Sequence, residues 1–404
     1  MRPPLETIIL FAGIAAAAPV LSALFGRAAR VPIVVFEIVL GILLGPAVLG
    51  WITVNEFTTF LAAVGLATLF FLAGSEIDFT ALRSRATGAA VLGWAISLVL
   101  GLALGLLIGG SLAAAVFVGI ALTTTSLGAI LPLLRDAGEL PTPFGRSVMT
   151  IGAVGEFAPL VAISLFLSGR SPALAGVVLI GFVIVATVAI ILAARGPYPA
   201  LHRLITATLH TSGQFAVRLV LGILAVLTCA SIAIGLDMLL GSFTAGVLAR
   251  VLLSAAPPDE RESVESKLEA VGFGFLVPIF FINTGVTFPL GSLLEDVRAL
   301  LLVPLFLVLM LVVRGLPGLL GAATRTHWDR GAAVLLAATG LPIIVAVTAL
   351  GVQAGDLTPG IAAALVGAGM LSVLLFPLVG LALRGRGQRT AAPAAAEDPA
   401  ATEG

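Results

Sequence analysis

The stretch TTTSLGAILP, residues 123–132, interrupts an apolar run that is long enough to cross a membrane as a helix. A second apolar run is interrupted at a comparable depth by TGLP, residues 339–342. Glycine and proline leave backbone amides and carbonyls without helical partners, and a bilayer tolerates such groups only where protein or a water-filled cavity covers them. Packing kinks would explain either stretch alone, but the pair predicts two broken transmembrane helices. The residues expected to break them are Gly128, Thr339, Gly340 and Pro342.

The composition indicates that most of the chain is surrounded by lipid. Of the 404 residues, 59% are hydrophobic and 10% are charged, which is too few charges to cover a water-soluble globule of this size. Lys plus Arg equals Asp plus Glu at 21 each, so net charge gives no reason to expect nucleic acid as a partner. The single cysteine, Cys229, excludes an intrachain disulfide and a site built from soft metal ligands. No cofactor is expected.

Thirteen apolar runs have about the 17 to 25 residues that a helix needs to cross the hydrocarbon layer. The predicted spans are 6–26, 31–49, 56–74, 86–109, 111–134, 146–168, 172–194, 219–236, 238–254, 267–286, 297–320, 330–354 and 357–383. Residues 1–383 are therefore predicted to form an all-α transmembrane domain. Residues 384–404, whose last part is rich in alanine, are predicted to be a disordered cytoplasmic tail.

The basic residues indicate how these spans are oriented. In the thirteen-span arrangement, all but four of the 21 lysines and arginines fall on one side; Arg2, Arg170 and Arg298 fall on the other, and Arg314 lies inside a span. Because basic residues concentrate on the cytoplasmic side, the N-terminus is predicted to lie outside and the C-terminus in the cytoplasm. The two broken spans, the fifth and the twelfth, are seven spans apart and cross in opposite directions, as inverted-topology repeats require.

Glu156 lies at the centre of the sixth span, between apolar or small residues. A charged, unpaired carboxylate at this depth is costly, so it is retained either protonated, or paired, or because it binds something positive. The sequence therefore predicts a site in which Glu156 binds a proton or a metal cation. The hydroxyl oxygens of Thr124, Thr125 and Ser126 are expected to help. Hard oxygen ligands suit an alkali cation, and neither spacing nor composition separates Na⁺ from K⁺.

Arg314, in the eleventh span, is the one basic residue at a similar depth. Opposite charges buried in a membrane predict a contact between Arg314 and Glu156. A purely structural ion pair would explain both residues, but it would not explain two broken helices. Two further acids, Glu37 in the second span and Asp237 between the eighth and ninth spans, are secondary candidates for a titrating group.

At these residues the sequence resembles the monovalent cation/proton antiporter superfamily, on the branch of the bacterial Kef-type and Nap-type exchangers. The matching stretches are PIVVFEIVLGILLGP (32–46), LFFLAGSEIDFTAL (69–82), TTTSLGAILPLL (123–134), residues 145–160, GLDMLLGSFTAG (235–246) and VPIFFINTG (277–285). The resemblance implies a sodium/proton antiporter-like fold with two crossing broken helices, and a homodimer with a dimerisation domain and a mobile core domain. It also implies that Glu156 is the ion-binding acid and Arg314 the buried basic residue.

Two positions depart from that family's pattern. The family often has an acid or amide followed by aspartate where this chain has Gly155 and Glu156, and its electrogenic members usually carry lysine in place of Arg314. Glu156 thus has no adjacent carboxylate to carry a second proton, and arginine stays protonated throughout any plausible cycle. We therefore expect electroneutral exchange of one cation per proton.

The predicted function is secondary transport across the cell (inner) membrane, in which Na⁺ or K⁺ is exchanged for H⁺ by alternating access. The alternative is a Na⁺-coupled organic anion symporter, because the same broken-helix architecture serves that function too. An enzyme is not expected, since the sequence has no HExxH metal motif. A channel would be expected to show a repeated pore loop, and none is visible.

Overall fold

A computed structural model describes residues 4–25, 32–76, 85–167, 171–195, 214–254 and 256–391, and most of these residues are helical. Within them, eleven helices are long and apolar enough to cross a membrane, and two further apolar helices are shorter. Each of the thirteen predicted spans coincides with one of these membrane-length or shorter apolar segments, two of which contain a break. The prediction of an all-α membrane protein with about thirteen spans is therefore confirmed.

The fifth and twelfth predicted spans are each divided into two helices. In chain order the helices are α1 (Pro4–Phe25), α2 (Ile33–Leu44), α3 (Glu56–Ser75), α4 (Arg85–Gly109), α5 (Leu112–Leu122), α6 (Leu127–Asp136), α7 (Pro143–Phe166), α8 (Pro172–Arg195), α9 (Phe215–Ala233), α10 (Met238–Leu253), α11 (Pro258–Val271), α12 (Val277–Val286), α13 (Leu290–Leu294), α14 (Val297–Met310), α15 (Leu316–Gly318), α16 (His327–Ala337), α17 (Pro342–Gln353) and α18 (Pro359–Ala391). A π-helical turn, Gly272–Leu276, connects α11 to α12, and another, Leu311–Gly315, connects α14 to α15.

The last helix is longer than the sequence predicts. The predicted span ends at residue 383 and a disordered tail is expected from residue 384, whereas α18 continues to Ala391. The difference has a physical reason, because Arg384 and Gln388 bind the carboxylate of Glu139 at 2.9 and 2.7 Å and so hold the extra turns in place. Residues 392–404 of the predicted tail lie outside the described residues.

The chain divides into two compact units, each assembled from three separate segments. The first unit comprises Met1–Phe79, Phe157–Leu300 and Val345–Ala363, and the second comprises Thr80–Glu156, Leu301–Ile344 and Ala364–Gly404. The second unit contains both helix breaks, Glu156 and Arg314. The side chains and helix breaks of the candidate site can therefore be described within one unit.

In the first unit, glycines allow α3 and α10 to pack backbone against backbone. Gly74 faces the backbone of Phe243, and Gly246 faces the carbonyl of Phe71, so closely that a Cβ on either glycine would overlap with those atoms. Because lipid tails are as apolar as leucine, the hydrophobic effect does not drive helices together in a membrane. Close van der Waals packing through small residues stabilises the helix pair instead.

In the second unit, an apolar cluster connects three helices: α6, α16 and the start of α7. Helix α6 follows the first break, and helix α16 precedes the second. The buried members of the cluster are Ile130, Leu134, Phe144, Val148, Ala332, Ala333 and Leu336. Because the cluster draws on all three helices, it holds the two half-helices against α7 as one packed body.

A charged network of Arg384, Glu139 and Asp329 lies at one end of this cluster, near the C-terminus of α6 and the N-terminus of α16. Arg384 of α18 donates from Nε to Glu139 Oε1 at 2.9 Å and from Nη1 to Asp329 Oδ1 at 2.6 Å. Both carboxylate side chains are almost fully buried, and the guanidinium also lies 4.5 Å from the ring centroid of Phe144. Arg384 thus pairs with two buried acids, Asp329 of α16 and Glu139 of the loop between α6 and α7.

The network generates a stability prediction. We expect Arg384→Ala to lower the free energy of unfolding by up to about 3 kcal/mol, because it leaves two buried carboxylates without their cation. Thermal unfolding of the detergent-solubilised protein, followed by intrinsic tryptophan fluorescence, measures the change. Arg386→Ala is the control, since Arg386 is exposed on the same helix. Equal melting temperatures for the two variants would contradict this role of Arg384.

Candidate functional site

The first helix break consists of four buried residues with hydroxyl groups. Helix α5 ends at Leu122 and α6 begins at Leu127, so Thr123, Thr124, Thr125 and Ser126 lie between them. The hydroxyl groups of Thr123 and Thr124 donate to the carbonyls of Ile120 and Ala121 at 2.8 and 3.0 Å and so terminate α5. A hydroxyl that donates its proton keeps its oxygen lone pairs for other partners.

Two amides of this break, those of Thr125 and Ser126, find backbone partners outside their own span. The Thr125 N–H donates to the Gly155 carbonyl at 3.0 Å, and the Ser126 N–H donates to the Thr339 carbonyl at 2.7 Å. The Gly155 carbonyl is available because Pro159, four residues later in α7, has no N–H to occupy it. Protein therefore satisfies the backbone at the break, as a bilayer requires.

The second break, between Ala337 and Pro342, lies against the first. Thr125 Oγ1 donates to the Ala337 carbonyl at 2.6 Å, and a Cβ at Gly340 would lie 2.7 Å from Thr124 Oγ1. Pro342 is the first residue of α17, where its missing N–H costs nothing. The breaks predicted from two distant stretches of sequence therefore meet in the second unit.

Two details of the breaks differ from the sequence prediction. Gly128 is the second residue of α6 and is helical, because the hydroxyl-bearing residues before it supply the break. Ser372 of α18 was not predicted at all, yet its hydroxyl accepts from the Gly340 N–H at 3.1 Å and donates to the Gly369 carbonyl at 2.7 Å. A lone serine in an apolar span is the one sequence signal that could have identified it.

Glu156, in the middle of α7, is 2% exposed, and its carboxylate meets the start of the half-helix α6. Its Oε2 accepts a hydrogen bond of 3.3 Å from the N–H of Leu127, the first residue of α6. The N-terminus of a helix carries unpaired amides and a positive partial charge, and both stabilise an anion. The break in the fifth span thus produces a helix end that suits the charged form of this carboxylate.

Arg314 is fully buried within the π-helical turn Leu311–Gly315. Its Nε donates to Thr125 Oγ1 at 2.8 Å, and its Nη2 donates to the Ile151 carbonyl at 2.7 Å. Single π-helical turns occur frequently at functional sites, because they redirect side chains locally. These hydrogen bonds place Arg314 among the residues around Glu156, and a direct ion pair between the two stays a prediction.

The secondary acids Glu37 and Asp237 belong to the first unit. Glu37 is buried in α2, and Asp237 caps α10 by accepting from the Leu239 N–H at 2.8 Å. Burial raises the pKa of Asp237 above its ordinary value, and the Leu239 amide opposes that shift. A helix cap explains why Asp237 is present without assigning it to ion binding.

These features define the class of the protein: a multi-pass membrane protein with two adjoining broken helices, which is the architecture of secondary transporters. Its sequence matches the family described as "Sodium/hydrogen exchanger, transmembrane" over residues 13–383. The chain therefore belongs to that family of cation/proton antiporters, which are transporters and not enzymes. The predicted resemblance is confirmed.

Relatives and solved structures agree with this assignment. The Na(+)/H(+)-K(+) antiporter GerN of Bacillus cereus is 26% identical over 76% of this chain and 77% of GerN. YjbQ of Bacillus subtilis (strain 168), named for Na(+)/H(+) antiport, is 23% identical over 86% of this chain. The chain spans 58% of the length of YjbQ. The sodium proton antiporter MjNhaP1 of Methanocaldococcus jannaschii has the same fold, with a TM-score of 0.63 over 95% of this chain and 98% of that chain at 15% identity.

The contact between Ser372 and the second break can be tested with a matched pair of serines. We expect Ser372→Ala to lower the free energy of unfolding by about 1–3 kcal/mol, since it leaves the Gly340 amide buried without its partner. Ser164 is also buried, but its hydroxyl has no hydrogen-bond partner among the described residues, so Ser164→Ala should not destabilise. Thermal unfolding in detergent compares the two. A larger loss for Ser164→Ala would refute the assignment.

Proposed function

We propose that this protein is a secondary active transporter that exchanges Na⁺ or K⁺ for H⁺ by alternating access. The observation that carries the proposal is the buried carboxylate of Glu156 at the N-terminus of α6, next to a helix break rich in hydroxyl groups. A carboxylate in that position is stable when it carries a proton or binds a cation. Because one negative charge serves both ligands, each excludes the other, and this competition is sufficient for exchange.

The hydroxyl groups of the first break divide into two roles in this proposal. Thr125 Oγ1 already donates to Ala337 and accepts from the charged guanidinium of Arg314, so we assign it to holding Arg314 rather than to the cation. Thr124 directs its proton to a backbone carbonyl and keeps its lone pairs. We propose that Thr124 and Ser126 are the neutral oxygen ligands that accompany Glu156. Such hard ligands suit an alkali cation.

The charges around the site favour an electroneutral cycle. Arg314 keeps its positive charge in every state, because a guanidinium is not deprotonated in proteins. Glu156 is then the one group in the site that changes charge, and it is neutralised by one proton or by one monovalent cation. Each loaded state has the same net charge, so we propose a stoichiometry of one cation per proton.

The relatives support the choice of ions. GerN is named as a Na(+)/H(+)-K(+) antiporter and MjNhaP1 as a sodium proton antiporter, which agrees with Na⁺ or K⁺ as the cation here. The alternative that the sequence left open, a Na⁺-coupled organic anion symporter, finds no support in the family match.

The parts of the cycle beyond the site are also proposals. We propose that the second unit is the mobile core, since it holds Glu156 and both breaks, and that the first unit is the dimerisation domain of a homodimer. We further propose that the N-terminus lies outside the cell and the C-terminus in the cytoplasm, from the distribution of basic residues.

Proteoliposomes with an internal pH dye test the exchange and its site. Addition of Na⁺, K⁺ or Li⁺ should change the internal pH, and an organic anion should not. We expect Glu156→Gln to abolish the response without unfolding the protein, because an amide cannot carry the exchanged charge. Glu156→Asp should retain part of it with altered cation affinity. Activity that survives Glu156→Gln but is lost in Glu37→Gln would move the site to Glu37.

The stoichiometry is tested by imposing a membrane potential on the same vesicles with K⁺ and valinomycin, using Na⁺ as the exchanged ion. We expect the exchange rate and the final Na⁺ gradient to be independent of the potential, because one positive charge replaces another. A gradient that follows the imposed potential would require a second charge-moving group.

A further inference from the structure

Position 155, directly before Glu156, has no room for a side chain. A Cβ built on Gly155 would overlap with Nη2 of Arg314 and Oγ1 of Thr125, and it would lie 2.8 Å from Thr125 Cβ. The guanidinium cannot step aside easily, because Arg314 is fully buried and hydrogen-bonded to Ile151 and Thr125. The volume that a side chain at 155 would fill is therefore already occupied by parts of the site.

The backbone of Gly155 is committed to the same partners. Its carbonyl, left without a helical donor by Pro159, accepts the Thr125 N–H at 3.0 Å. Thr125 thus makes three hydrogen bonds: its amide donates to Gly155, and its hydroxyl accepts from Arg314 and donates to the Ala337 carbonyl. Gly155 therefore leaves a gap on α7 that receives both the first break and the guanidinium.

We propose that Gly155 is a positioning residue for ion exchange: its missing side chain admits Arg314 and Thr125 to the immediate neighbourhood of Glu156 and so sets the cation affinity of the site. This inference rests on the proposed exchange function. The residue acts through others, because Thr124 and Ser126, the proposed cation ligands, are the chain neighbours of Thr125. Any displacement of Thr125 moves both of them relative to the carboxylate.

The inference makes Gly155 and Arg314 energetically coupled. A methyl group at 155 would push the guanidinium from the Ile151 carbonyl and loosen its bond to Thr125. A lysine at 314 has no Nη2 atom, so most of the overlap with that side chain would disappear. A methyl group at 155 would still overlap with Thr125, whether residue 314 is arginine or lysine. The cost of that overlap is therefore the same in both backgrounds and cancels when the effect of Gly155→Ala in one is subtracted from its effect in the other.

A double-mutant cycle with Gly155→Ala and Arg314→Lys tests this coupling. The half-saturating Na⁺ concentration for proton efflux from proteoliposomes is the functional readout, and the melting temperature in detergent is the readout that needs no transport. In the Arg314 background, Gly155→Ala should raise the half-saturating Na⁺ concentration on the order of tenfold; in the Arg314→Lys background the increase should be no more than about threefold. The destabilisation should shrink in parallel. Equal effects in both backgrounds would overturn the proposal.

Gly181 provides the matched control. It lies in α8, and a Cβ added there would meet no atom of the described residues within 4 Å, so Gly181→Ala should leave both readouts unchanged whichever residue occupies position 314. If Gly155→Ala yields no folded protein, the amount of monodisperse protein on gel filtration becomes the readout. Addition of Arg314→Lys should then increase that amount, because it removes one of the two overlaps, and an unchanged amount would overturn the proposal.

The cycle also separates this inference from the proposed function. A wild-type protein without cation-dependent proton flux would refute the exchange function. The melting temperatures would still decide whether Gly155 and Arg314 are coupled. Conversely, normal exchange by the wild type with additive melting temperatures and additive Na⁺ effects would leave the function standing and refute the role of Gly155.

Discussion

Unpaired backbone amides are unstable in hydrocarbon, and the structure of the second unit depends on how the amides of two helix breaks are paired. The Thr125 and Ser126 amides reach the carbonyls of Gly155 and Thr339, and the Gly340 amide reaches the hydroxyl of Ser372. Each partner lies outside the span to which the amide belongs. The breaks therefore persist because α7, α18 and, for Ser126, the second break supply the partners that an intact helix would have supplied. Pro159 is central because it releases the Gly155 carbonyl.

A second consequence of this pairing is electrostatic. Once the fifth span is broken, α6 has an N-terminus inside the protein, and its first amide meets the Glu156 carboxylate. The same break presents Thr125 to the guanidinium of Arg314. A negative group, a fixed positive group and a helix end thus share one buried region, where the low polarity strengthens their interactions. In the proposed cycle, this arrangement lets one carboxylate exchange ligands while the surrounding charges stay constant.

The sequence predicts which residues of this site lie deep in the membrane, but it does not predict which hydrogen-bond partners they have. Hydrophobic runs locate the spans, and the rarity of charge within them identifies Glu156 and Arg314 as buried. Small and hydroxyl-bearing residues locate both breaks. Runs of this kind carry no information about which carbonyl accepts which amide. The link from Thr125 to Ala337, across 212 positions of the chain, and the role of Ser372 appear only when the helices are packed. The assignment of Gly128 as a break residue fails because glycine is also acceptable in the first turn of a helix.

The central claim is that one carboxylate binds either a proton or a cation, and proton release on cation binding tests it most directly. Detergent-solubilised protein in weakly buffered solution with a pH indicator would be titrated with Na⁺ at a pH where the site is protonated. We predict one proton released per cation bound and none from Glu156→Gln. Cation binding without proton release, or equal release from Glu156→Gln, would contradict the account.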